Sequence, residues 1–117
     1  MTYMLLVVEN VGDREERSES EGRALYGRML EFSAGLRERG QLALSQSLKT
    51  DAAGVRVARR GEKSTVRDGP FAEAKEMIGG FLLLTCDTRA QAIEIARDCP
   101  AAEWATIEVR EVGPCFQ

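Results

Sequence analysis

Histidine is missing from all 117 residues, and its absence closes more chemistry than any motif opens. Ser-His-Asp and Cys-His catalysis, His-ligated haem and the common zinc sites each require an imidazole. An acid or base in this chain must therefore be a carboxylate, a lysine, a tyrosine or a thiol. Cysteine is nearly as sparse. Cys86, Cys99 and Cys115 are odd in number and too far apart for a CxxC redox or zinc motif, so free thiols in a reducing cytoplasm are expected, with Cys86 acting as a small core hydrophobe. The remaining donors are hard oxygens, suited at most to weak magnesium or calcium binding. Neither a metal nor a cofactor is expected.

Long apolar runs are also missing. "MLLVV" and "FLLLTC" fall far short of a bilayer span and read as buried strands, so no membrane association is expected. The opening "MTYMLLVVEN" has neither a basic stretch nor a small-residue cleavage site, which argues against a leader peptide. A basic excess is lacking as well. The net charge is −3 with a pI near 5.1, and the arginines are scattered among Glu and Asp, a poor match to nucleic acid. What is present is 44% apolar and 30% charged residues, the balance of a soluble globular chain. The length fits one domain, residues 1–117.

Tyr3 to Val8 reads as a strand that is apolar at both parities, Tyr3, Leu5 and Val7 on one side, Met4, Leu6 and Val8 on the other. Such a strand must be covered on both faces. Ser18 and Glu21 form a capping-box pattern, after which Leu25, Met29, Phe32 and Leu36 recur at helical spacing up to Gly40. Leu42 to Leu48 is a second strand; Val55 to Arg60 and Ser64 to Arg67 read as a half-exposed hairpin around "RRGEK". Phe81 to Cys86 repeats the two-sided pattern of the first strand. Asp87 or Thr88 then caps a helix with Ala92, Ile93 and Ala96 as its stripe, ending at Cys99-Pro100, and Trp104 to Val112 forms a one-sided last strand.

The order is βαβ, hairpin, βαβ, with the first and third main strands central. This is the ferredoxin-like α+β arrangement, with an antiparallel sheet. Two helices cover one face of that sheet, so the other needs a partner, and the economical one is a second copy about a two-fold axis. A face-to-face homodimer follows as an expectation, in effect a dimeric α+β barrel.

The stretch Asp68 to Gly80, "DGPFAEAKEMIGG", is too long and too chemically mixed to be an ordinary connector. Together with the opening "YMLLVVE" and the closing "ARDCPAAEWATIEVREV", it resembles the YCII-related family in its DGPF subgroup. The resemblance covers nearly the whole chain. It implies a bacterial dimeric α+β barrel, hydrolase- or lyase-like chemistry in some members, and an association with extracytoplasmic-function sigma factors. Broader members are assigned a His-Asp pair; without histidine that dyad does not carry over.

The motif residues that do carry over are Asp68, Gly69, Pro70, Phe71, Glu73, Lys75, Glu76, Gly79 and Gly80. Each has a structural and a functional reading. Asp68 starts a turn, or is a carboxylate at a pocket mouth acting as acid/base. Gly69 and Pro70 shape the backbone. Phe71, spaced one helical heptad from Ile78, pins the segment to the core or stacks on a ligand. Glu73, Lys75 and Glu76 are a solvated turn, or Lys75 anchors an anionic ligand. Gly79-Gly80, ahead of the buried strand, permits a bulge or presents N–H groups to a ligand. No G-x-G-x-x-G or Walker pattern supports nucleotide binding.

Three functions fit. The first is a small cytoplasmic protein that takes a small organic molecule into a pocket beside the motif, with Asp68 as acid/base and Phe71, Glu73, Lys75, Gly79 and Gly80 around the ligand. The second is a non-catalytic accessory protein serving a sigma-factor system. The third, cofactor-free oxygenation, rests on fold analogy alone.

Overall fold

Alternation and capping place the elements where the side chains demand. A computed structural model describes residues 2–117. Its elements are β1 (Thr2–Asn10), α1 (Glu19–Glu38), β2 (Leu42–Ser47), β3 (Val55–Arg60), β4 (Lys63–Asp68), β5 (Glu76–Thr85), α2 (Arg89–Asp98) and β6 (Thr106–Glu111). Ser18 accepts the Glu21 N–H at 3.2 Å while the Glu21 carboxylate accepts the Ser18 N–H, the reciprocal box that satisfies two free donors at the start of α1. Thr88, the second of the two candidate caps, accepts from the Gln91 N–H and starts α2.

The main sheet runs β2-β5-β1-β6, every neighbouring pair antiparallel. The two-sided strands are therefore central and the one-sided ones are at the edges, the ferredoxin-like order. Tyr3, Leu5 and Val7 of β1 and Leu82 and Leu84 of β5 are buried beneath the helices. Leu36 of α1 and Ala92 and Ile95 of α2 close over them. Leu5, Leu36 and Leu84 are fully enclosed, each worth about 2 kcal/mol relative to exposure.

Four expectations change. The stripe of α2 is Ala92, Ile95 and Ala96, with Ile93 only half buried, because α2 faces the sheet with the side one residue round from the spacing assumed. The last strand begins at Thr106, since Trp104 closes a short 3-10 turn. β5 begins at Glu76, five residues before Phe81, so Gly79 and Gly80 lie inside the strand. The hairpin is not half exposed: all of β4 is exposed, and in β3 only Ala58 is partly covered.

β3 and β4 pair only with each other, turning at Gly61, whose φ of +62° suits glycine. The hairpin projects from the body as an arm. The radius of gyration is 16.0 Å, against about 13 Å for a compact chain of this length.

The second face of the sheet is uncovered. Met4, Leu6 and Val8 lie there beside Phe81 and Leu83, with Leu44 exposed on the neighbouring strand. At the β6 edge the Glu108–Arg110 ion pair, 3.1 Å, stands opposite Leu6 and Met4.

Candidate functional site

The first half of the motif anchors the arm. Gly69 donates its N–H to the Gly54 carbonyl at 2.8 Å, and the backbone passes so close to the Asp51 carbonyl that a Cβ on Gly69 would lie 1.9 Å from that oxygen. Only glycine permits this approach. The Gly69–Pro70 peptide is cis. The carboxylate serving this turn is Asp51, which accepts from the Phe71 N–H at 3.4 Å. Asp68 ends β4 opposite Val55, with its side chain exposed and without a hydrogen-bond partner among the described residues.

Phe71 is buried, but at the base of the arm rather than in the main core. Its ring is covered by the Arg56 guanidinium at 3.9 Å and approached by that of Arg67 at 5.3 Å, each such contact contributing about 1 kcal/mol. Glu73 binds both arginines. Its own backbone N–H and the Arg67 guanidinium hold its carboxyl below the ordinary range. Ile78 does not join Phe71 in pinning the segment, because the segment is a turn and a strand rather than a helix, and Ile78 is 42% exposed.

The second half of the motif packs against a group that sequence reasoning missed. Gly79 is the bulged residue where Val7 pairs with Gly80 and Val8 with Ile78. A Cβ there would lie 1.9 Å from a carboxylate oxygen of Glu9. Glu9 is 6% exposed and receives Arg14 Nε at 2.6 Å and Nη2 at 3.1 Å. Arg14 also donates to the carbonyls of Leu48, 2.8 Å, and Gly79, 3.3 Å. One guanidinium thus ties together the ends of β1, β2 and β5. Gly80 lets the Gln46 carbonyl approach to 2.9 Å from where its Cβ would stand. The available signal was Glu9 itself, a charge at the buried parity of an apolar strand.

Lys75 is exposed, its carbonyl accepting from the Val11 N–H at 2.9 Å. Glu76, the next residue, begins β5 opposite Asn10 on the open side of the sheet. Glu76 and Asn10 line a shallow concavity of about 250 Å³ with Val8, Glu103, Trp104 and Thr106. Its Glu103 carboxyl is held below the ordinary range by hydrogen bonding to Arg28, which also stacks on the Trp104 ring at 5.4 Å. A second concavity, about 380 Å³, lies beside Arg14, Lys49 and Thr50. Neither is lined by Asp68 or Lys75. Among the described residues, no three Cys, Asp or Glu side chains gather as a metal site, and no helix is long and apolar enough to cross a membrane.

The model of the YCII-related domain matches residues 1–115. An uncharacterised protein of Rhizobium meliloti (strain 1021) is 35% identical over 78 residues, covering 65% of this chain and 63% of that protein. The match therefore spans less than two thirds of that relative's length.

Proposed function

Because the chain belongs to the YCII-related family, we propose that it binds a small organic molecule against the open side of its sheet and works as a face-to-face homodimer of the DGPF subgroup. The observation that carries this reading is the uncovered apolar face of the two central strands, Met4, Leu6, Val8, Phe81 and Leu83. Apolar surface of this kind is stabilised by burial against a partner. A second copy stacked on it leaves a space walled by apolar side chains and rimmed by polar ones, which is how small-ligand sites are built.

Of the motif, Glu76 lies on the open side of the sheet, opposite Asn10. Glu76 with Asn10 supplies polar groups at the apolar floor, and Trp104 flanks them. Asp68 remains the proposed acid/base of a hydrolase- or lyase-like step, because its carboxylate is exposed and unengaged. Lys75 orients an anionic or carbonyl-bearing ligand. Phe71, Glu73, Gly79 and Gly80 hold the motif in place around them.

A metabolite panel read by thermal shift tests the ligand reading, since a molecule that binds only the native state raises its stability. Hits should be weakened tenfold or more by Asp68→Asn or Glu76→Gln, with fold and assembly unchanged. Equal binding by wild type and by Asp68→Asn, Glu76→Gln and Lys75→Ala would reject this placement. No hit, with stoichiometric binding to a sigma factor instead, would favour the accessory role. The dimer should bury more than about 1,000 Å² and sediment as such at micromolar concentration. Leu6→Arg should make it monomeric.

A further inference from the structure

The β3–β4 arm is an exposed structure with little of its own to hold it. Isolated two-stranded hairpins are marginal in water, and this one shows solvent the side chains that strands normally cover. Val57 and Val66 face each other across the ladder and are each 68% exposed; Val55, on the same face, is 54% exposed. The opposite face carries Arg56, Arg60, Lys63 and Arg67. Within residues 55–68 five basic residues stand against two acidic ones, a net +3, so the remainder of the chain, whose total is −3, carries −6. Arg56 and Arg67 are engaged by Glu73. Arg59, Arg60 and Lys63 at the tip have no carboxylate partner among the described residues.

We propose that the arm docks on a second copy of this chain, its basic tip lying across the acidic segment Asp13–Glu21. Charge selects this occupant. Two arms of +3 repel each other, whereas residues 13–21 hold five acidic and two basic residues, a net −3, with Glu15 and Glu16 exposed and unpaired among the described residues. The segment and the base of the arm lie at the same end of the sheet, where β1 and β2 finish and β5 begins. Each copy therefore presents an arm and a complementary acidic strip, as a two-fold assembly requires. The first half of the motif gains a purpose: Gly69, Phe71 and Glu73 aim the arm.

The inference rests on the stacked-sheet dimer, and charge exchange separates the two. Dimer dissociation is measured by sedimentation across a dilution series at low and high salt. Arg59→Glu/Arg60→Glu/Lys63→Glu should raise the dissociation constant at least tenfold at low salt and remove most of its salt dependence. Adding Glu15→Lys/Glu16→Lys to the same chain should restore both. All five positions are exposed, so native circular dichroism is expected throughout. A dimer that dissociates like wild type in every variant overturns the arm and leaves the stacked sheets standing, as does binding of the arm to a different acidic protein without effect on self-association. A wild type that stays monomeric at tens of micromolar overturns both.

Discussion

Gly79 shows how one missing methyl group sets the position of a charge. Its Cα faces the Glu9 carboxylate and the Arg14 guanidinium, and alanine would place Cβ 2.7 Å from Arg14 Nη2 as well as against Glu9. The neighbours are the two ends of a partly buried ion pair that bridges three strands. Displacing one partner leaves a buried carboxylate short of its cation, a loss of about 3 kcal/mol. Gly79→Ala should therefore lower the urea midpoint by that equivalent with the slope unchanged. A change under about 1 kcal/mol would mean that Glu9 moves aside freely.

At the scale of elements, one exposed ion pair helps to tie α1 to the turn before β6. Arg28 binds Glu103 and stacks on Trp104, and Trp104 is the only tryptophan, so its fluorescence reports the contact. Arg28 holds the Glu103 carboxyl below the ordinary value of about 4.5. A carboxyl lowered in the folded state adds stability above its unfolded value, and that contribution is lost as pH falls through the lower folded value. Trp104 emission should consequently change in a step below pH 4.5. Glu103→Gln should abolish the step; a step that survives it belongs to another group.

Element order was legible because periods of 2 and 3.6 are written in every segment, and strands apolar at both parities declared themselves central. The arm was legible as a hairpin but not as a projection, since alternating Val55, Val57 and Val66 look the same whether one face is covered or bare. For the site, the motif was visible, and a bulge was one of the two readings open for the Gly79-Gly80 pair. The Glu9–Arg14 clamp was not, because it includes a carbonyl 65 positions from Arg14. Asp51, which serves the turn in place of Asp68, lies 20 residues before the Phe71 N–H it accepts.

For the whole molecule, the sheet interleaves the two halves of the chain. β1 pairs with β5 and β6, and β5 inserts between β1 and β2, while the only covalent passage between the halves runs out along the arm and back. Its tip, Arg59-Arg60-Gly61 with Lys63 just beyond, offers exposed trypsin sites. In dilute protein at high salt, where the arms stand free, trypsin should cut there first. The product should still elute as one particle, and denaturant should part it near residue 60. A cut that scatters the pieces would mean that the arm holds the halves together. The arm thus makes this small domain separable into two complementing fragments: pieces produced apart, one bearing β1, α1 and β2 and the other β5, α2 and β6, should find each other and rebuild the sheet.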